Sequence, residues 1–150
     1  MRFWLNSIRY LLFTIFLLTT SLAQAENSSD FGDYVVHYNA FNTDMLSPKV
    51  AQEYGIKRSK NRGMLNVVVL HKVLGSPGQP VPATISGTMT NLTGSQSPLE
   101  FREIREPNAI YYIAEFGVTN EEILVFNVDA KVEGSDDKMT VKYRKQFFTR

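Results

Sequence analysis

Two histidines, His37 and His71, carry the side chains of this sequence that are best suited to hold a metal ion. Imidazole binds both copper and zinc, and Met45, Met64 and Met89 could add soft ligands if the chain brought them close. The histidines are too far apart for an H-x-x-x-H motif, and the sequence has no cysteine. We therefore expect no metal ion or other cofactor, and keep as the alternative a copper or zinc site formed by His37 and His71.

A basic segment follows the first predicted strand and could bind an anionic group of a polysaccharide or a phosphate. Four of its six residues are cationic, and its simpler interpretation is a solvated loop whose lysines discourage pairing at a sheet edge. The preceding strand adds polar groups near His37 and Asn39. The candidate binding residues are therefore Lys57, Arg58, Lys60, Arg62, His37 and Asn39.

No arrangement of residues in the sequence is typical of an enzyme. The small-residue triplets Gly75-Ser76-Pro77 and Gly87-Thr88-Met89 lack the G-x-S-x-G pattern of a nucleophile elbow. The adjacent carboxylates Glu121-Glu122 and Asp136-Asp137 lie in predicted turns, where acidic residues are usually solvated. We predict that the protein is not an enzyme; a hydrolase would need a convergence of side chains that sequence spacing cannot reveal.

Strands with an apolar and a polar face must position these residues. Alternation, together with β-branched and aromatic content, predicts seven strands, at residues 33–42, 64–74, 81–90, 99–105, 109–118, 124–132 and 139–147; the one at 64–74 is apolar on both faces at its centre. Ser47 followed by Pro48 predicts one short helical turn that runs through Tyr54. These elements predict an all-β fold, an immunoglobulin-like antiparallel β-sandwich of about seven strands, with a small closed barrel as the structural alternative.

Two irregular places in the pattern carry their own predictions. Residues 26–30 are polar and show no apolar alternation, which predicts a disordered terminus. The alternation slips between Phe101 and Ile104, and a β-bulge would reconcile the two phases.

The first 25 residues have the pattern of a cleavable secretory signal. Arg2 and Arg9 precede an apolar stretch at residues 10–20, and Ala23-Gln24-Ala25 is an A-x-A cleavage site. The apolar stretch is much shorter than the roughly 20 residues that span a bilayer as a helix. We predict cleavage after Ala25, a single domain at 26–150, and no stable membrane insertion after cleavage.

The charge of the predicted mature chain is close to zero. The precursor carries 16 basic and 15 acidic residues, and the leader removes two basic ones, so the mature charge is 14 − 15 = −1. This balance argues against nucleic acid or bulk anionic lipid as a partner. Without cysteines, the hydrophobic core alone must stabilise the exported domain.

Four segments carry a resemblance to a known family: GDYVVHYNAFNTDML (32–46), YGIKRSKNRGMLNVVVL (54–70), PVPATISGTMTNLTG (80–94) and LEFREIREPNAIYYIAEFGVTNEE (99–122). Together they resemble a family of uncharacterised exported proteins of Gram-negative bacteria, a domain of unknown function. The resemblance implies a periplasmic location and one β-sandwich-like domain, and it implies no reaction, ligand or site residue. Our hypothesis is a non-enzymatic binding or accessory module for an envelope protein or glycan; the alternative is a small copper- or zinc-binding protein that uses His37 and His71.

Overall fold

The computed structural model describes residues 27–150, so the predicted leader and its cleavage site lie outside the described residues. The strands within this range are β1 (Ser28–Phe31), β2 (Tyr34–Asn42), β3 (Arg62–His71), β4 (Gln79–Pro80), β5 (Ala83–Asn91), β6 (Gln96–Pro98), β7 (Arg102–Glu106), β8 (Ala109–Gly117), β9 (Ile123–Val132) and β10 (Lys138–Gln146). A 3₁₀ turn at Thr43–Met45 and a short helix, α1 (Pro48–Glu53), connect β2 to β3. No helix in this part of the chain is long and apolar enough to cross a membrane.

The strands form two antiparallel sheets that pack face to face. The first sheet has the order β1-β2-β3-β8-β7, with β4 paired to one end of β3, and the second has the order β10-β9-β5-β6. Their inward side chains build one core, whose largest fully buried members are Phe126, Phe147, Leu65, Val36, Val67 and Val69. The predicted all-β antiparallel sandwich is confirmed, and β3, apolar on both faces, lies inside the first sheet as its composition indicates.

The three strands beyond the predicted seven are all short. β1, β4 and β6 contain four, two and three residues, too few to show an alternating pattern. The prediction of a disordered terminus is wrong for β1, which pairs in register with β2 from Ser28 opposite His37 to Phe31 opposite Tyr34. Backbone hydrogen bonds hold this strand in place, and only Phe31 packs against the core.

The slip in the alternation after Phe101 has a different cause from the predicted bulge. β6 belongs to the second sheet and β7 to the first, so the chain changes sheets between Pro98 and Arg102. Leu99 and Phe101 pack against the core during this crossing. The phase resets because the inward direction reverses when the chain passes from one sheet to the other.

The connection between β2 and β3 covers only part of the outer face of the first sheet. Ser47 caps α1 by accepting a hydrogen bond from the Val50 N–H at 3.3 Å, and Pro48 begins the helix, as predicted. Beneath it lies a second, smaller cluster of buried residues: Ala51, Ile56, Met64 and Ile113. The rest of that outer face, towards the start of β2, stays uncovered.

Candidate functional site

An open groove of about 1020 Å³ follows the edge of β2 from the point where Ser28, the first residue of β1, pairs with His37. Six consecutive β2 residues, from His37 to Asn42, line it. Because neighbouring residues of a strand point to opposite faces, the groove wraps around the strand edge rather than lying on one face. At the usual rise per residue this lining extends for about 17 Å. The groove is therefore elongated.

A pair of carboxamides lies at the centre of the groove. Asn39 of β2 is directly opposite Asn66 of β3 in the strand register, and both side chains lie on the outer face. Within residues 27–150, the buried Asn66 Oδ1 has no hydrogen-bond partner. A buried carbonyl oxygen left without a donor costs about 1–3 kcal/mol, so this position disfavours folding unless a donor reaches it.

Aromatic and apolar side chains border the carboxamides. Phe41 and Tyr111 line the groove and also pack against the cluster under α1. At one end, Met45 and Phe148 are 75% and 58% exposed. The groove thus combines amide hydrogen-bonding groups with apolar surfaces, an arrangement that suits a ligand with both kinds of surface.

The side chains that line the groove carry no negative charge. They comprise four asparagines, one glutamine, aromatic and apolar residues, His37 and Lys145, with no aspartate, glutamate, serine, threonine or cysteine among them. The polar side chains of the lining are therefore mainly amides, with one imidazole, one ammonium group and two phenols. What it can do is bind a neutral or anionic ligand.

Tyr143 of β10 packs behind Tyr38, which lines the groove. Its ring lies 5.2 Å from that of Tyr38, centroid to centroid. Burial raises the pKa of the Tyr143 hydroxyl, while donation from the Ala40 backbone N–H and the Asn27 side chain opposes the shift. These contacts join the edge of the first sheet to the second, so this wall of the groove is part of the folded core.

The structure does not bring His37 and His71 together. His37 is paired with Val68 and lies on the outer face, where it lines the groove. His71 is paired with Tyr34 on the core-side face, and the two rings make an edge contact at 5.4 Å. Because the histidines occupy opposite faces of one sheet, a single chain does not offer both imidazoles to one ion.

The methionines are also separated. Met45 lines the groove at the end opposite His37, Met64 is buried under α1, and Met89 packs against the main core. Across the range that the structure describes, no cluster of three or more histidine, cysteine, aspartate or glutamate side chains could hold a metal ion.

The basic segment lies beside the groove and its backbone is tightly held. The Oγ1 of the fully buried Thr43 lies 2.9 Å from the carbonyl oxygen of Lys57 and 3.2 Å from that of Ser59. Asn42, which lines the groove, donates to the carbonyls of Lys60 and Phe148 at 2.6 and 3.0 Å. The basic segment therefore adjoins one end of the groove.

The four basic side chains differ in their surroundings. Lys57, Arg58 and Lys60 are exposed, and Arg58 donates to the carbonyl of Asp44 at 2.8 Å. Arg62 instead forms an ion pair with Glu115 at 3.2 Å, which places it in the sheet rather than in the loop surface. Of the six candidate binding residues, the structure places His37 and Asn39 in the groove, Lys57, Arg58 and Lys60 beside it, and Arg62 apart.

Sequence reasoning missed several groove residues. Asn66 had a visible signal, since it interrupts an otherwise apolar strand. Met45, Gln146 and Phe148 had none, because they reach the groove only through the 3₁₀ turn and the returning end of the chain.

Solved structures share this fold. A DUF4426 family protein from Pseudomonas aeruginosa is 40% identical, with a TM-score of 0.71 over 84% of this chain and 97% of its own. FetP from uropathogenic Escherichia coli strain F11, expressed recombinantly in the periplasm of E. coli, is 15% identical, with a TM-score of 0.58 over 83% and 94%. A copper-bound variant of P19 from Campylobacter jejuni is 11% identical, with a TM-score of 0.51 over 81% and 94%.

No curated protein matches the chain. The family model for a domain of unknown function, DUF4426, matches residues 28–150, which is nearly the whole range that the structure describes. The resemblance noted from the sequence is thereby confirmed, and the chain belongs to the DUF4426 family.

Proposed function

We propose that this protein is a non-enzymatic binding module of the cell envelope and that its ligand, a protein segment or a glycan, lies in the groove along β2. The observation that carries the proposal is the carboxamide pair Asn39–Asn66, set in an elongated groove with aromatic borders and no lining carboxylate. The Asn66 Oδ1 is covered in the structure, so a ligand N–H or O–H reaches it when the amide turns towards the groove, and that hydrogen bond would remove the cost of the unpartnered oxygen. The ligand thus supplies a donor that the fold lacks.

Site-specific photo-crosslinking in living cells tests this proposal. A photoreactive phenylalanine analogue replaces Phe41, which lines the groove beside the carboxamide pair, or, as the control, Ser86 on the exposed outer face of the second sheet. We expect a discrete adduct from the Phe41 position, weakened by Tyr111→Ala, and none from the Ser86 position. Identical adduct patterns from the two positions would contradict the proposal.

The proposed site of action is the periplasm, after removal of residues 1–25. The n-, h- and c-regions of the predicted leader and the resemblance to exported proteins support this location. Cell fractionation followed by intact-mass measurement tests it, with a mature chain beginning at Glu26 as the expected product. Recovery of the full-length precursor in the cytoplasm alone would contradict it.

Copper binding is the second candidate function. Variants of FetP and of P19, which share this fold, were solved with copper bound. In this chain the imidazole of His37 lines the groove, and imidazole is a ligand that copper accepts.

Metal analysis and titration with copper and zinc test this candidate. If the site is in the groove, His37→Ala loses the bound metal and His71→Ala keeps it. Loss of metal in both variants would instead point to a site shared between two copies of the chain, because one chain holds the two imidazoles on opposite faces of the sheet. Absence of stoichiometric metal in the wild-type protein would exclude the candidate.

A further inference from the structure

We propose that the end of the groove at Asn42 is a docking surface for an acidic protein segment that also carries apolar side chains. This inference rests on the proposed binding function and names its partner class. We call the surface the docking rim; it consists of Met45, Arg58, Lys60, Lys145 and Phe148.

Exposed apolar groups are the first component of the docking rim. The exposed large hydrophobic residues among positions 27–150 are Met45, Leu74, Leu92 and Phe148. Leu74 and Leu92 lie in separate turns, whereas Met45 and Phe148 line the same groove. Two such side chains beside one cavity form a patch that a partner can remove from water, which is favourable by about 25 cal/mol per Å² of apolar area.

Cationic groups are the second component. Arg58 donates a hydrogen bond to the Asp44 carbonyl and so lies beside Met45. The Asn42 side-chain amide donates to the carbonyls of Lys60 and Phe148 and so brings these two residues together. Lys145 lines the groove itself. Within the described range none of the three cationic side chains forms an ion pair. Asp44 and Glu121 lie nearby, but neither carboxylate pairs with these three charges, so an acidic partner is favoured.

A fixed backbone is the third component. Thr43 is the buried polar residue of the described chain, and its Oγ1 also accepts the Ser59 N–H at 3.0 Å. Hydrogen bonds from its hydroxyl to the carbonyls of Lys57 and Ser59 hold the loop on its buried side. Hydrogen bonds from the Asn42 side chain to the carbonyls of Lys60 and Phe148 hold it on the groove side. A surface whose backbone is already ordered loses less conformational entropy on binding.

The shape of the groove favours a protein segment over a membrane or a glycan. Its length of about 17 Å matches an extended segment of about five residues. Its carboxamides can bind the N–H and C=O groups of a peptide backbone, and its apolar borders can take alternate side chains. The mature chain has a net charge near zero, so attraction to an anionic partner is local, which suits a short segment better than a lipid surface.

Fluorescence anisotropy with synthetic peptides tests the inference on the mature protein. The probe is a labelled hexapeptide that alternates glutamate and leucine; the comparison peptides replace every glutamate with lysine or every leucine with serine. We expect the probe to bind at least about tenfold more tightly than either comparison peptide, and more weakly as salt screens the charges.

Charge-reversal variants locate the contact. Arg58→Glu combined with Lys60→Glu is expected to weaken probe binding by about tenfold or more, and Phe148→Ser by a few-fold. The matched control is Lys142→Glu combined with Arg144→Glu, which changes the net charge equally on the exposed outer face of β10. We expect the control to bind like the wild type.

Three outcomes would overturn the inference: equal binding of the glutamate and lysine peptides, equal loss in the control, or preferential binding to phosphatidylglycerol vesicles. The photo-crosslinking result separates this failure from that of the proposed function. If the probe does not bind but the adduct at the Phe41 position persists, the partner class is wrong and the groove still binds a ligand. Absence of both overturns both.

Discussion

The outer face of the first sheet has two halves that differ sharply although the same strands build them. In one half Met64, 5% exposed, is covered by the chain that forms α1, together with Ala51, Ile56 and Ile113. Two residues further along the same face of β3, Asn66 lies in the open groove. The covered half is apolar and contributes to folding. The open half contains a carboxamide pair whose polar groups the fold does not fully use, and this difference is the reason we propose it as the binding half.

The largest expected effect is in the covered half. Met64→Ala removes a buried side chain and leaves a cavity, so we expect the free energy of unfolding to fall by about 2–5 kcal/mol. Met45→Ala is the matched control, because the same substitution at a 75% exposed position should change the free energy of unfolding by no more than about 0.5 kcal/mol. Denaturant unfolding measures both. Equal effects would show that α1 does not shield Met64 in solution.

The second effect is at the junction between the halves, where Thr43 holds the basic segment. Thr43→Val leaves the buried carbonyl contacts at Lys57 and Ser59 without a donor, and we expect a loss of about 1–3 kcal/mol in the free energy of unfolding. Thr140→Val is the control, since the Thr140 hydroxyl also forms a hydrogen bond, at 2.7 Å to Asp129, but is exposed. That control should cost about 0.5 kcal/mol or less. A similar loss in both variants would contradict the role assigned to burial of Thr43.

The third prediction concerns the open half and has the opposite sign. Asn66→Leu replaces the amide whose buried oxygen lacks a donor with an apolar group of similar size, so the free energy of unfolding should rise by about 1 kcal/mol. The same variant should lose the photo-crosslinked adduct at the Phe41 position. A gain of stability together with a loss of binding is the mark of a residue retained for function. Destabilisation as large as that of Met64→Ala would instead make Asn66 a structural residue.

The contrast between the halves also explains what the sequence could predict. Alternation extends over long stretches of β5, β9 and β10, so these strands and their inward faces follow from the pattern, whereas β2, β3 and β8 are recognised by their β-branched and aromatic residues. The short strands β1 and β4 form by backbone pairing with long neighbours, and no side-chain pattern announces such pairing. The change of sheet after Phe101 looked like a bulge because a reversal of the inward direction and an inserted residue shift the alternation in the same way.

The candidate site was less accessible to such reasoning. His37 and Asn39 were singled out because they are polar residues on the first predicted strand, and the structure places both in the groove. That Asn39 faces Asn66 depends on the β2–β3 register, which sequence does not give without the connecting turn. His71 lies on the other face of the sheet for the same reason: pairing His71 with Tyr34 puts it on the opposite face to His37.

The smallest expected effect is a fall in the free energy of unfolding at alkaline pH. Measuring it in variants of two buried tyrosines compares the groove wall with the core. Burial raises the pKa of Tyr143, behind the groove, and of Tyr112, whose hydroxyl accepts the Ala83 N–H at 2.8 Å inside the sandwich. In the unfolded chain each tyrosine titrates near 10.0, below its folded pKa, so the unfolded state releases its proton first. The stability that the two raised pKa values contribute is therefore fully present below about pH 10 and is lost as the pH rises above it, by at most about 1.4 kcal/mol per pH unit for each tyrosine.

Denaturant unfolding between pH 8 and pH 11 should show this fall in the free energy of unfolding. The fall should be smaller in Tyr143→Phe and in Tyr112→Phe, and smallest in the double variant. If Tyr143→Phe alone left the fall in stability unchanged, the groove wall would be more open to solvent than the core. The contacts of Tyr143 with Tyr38 and Ala40 would then not shield its hydroxyl from water.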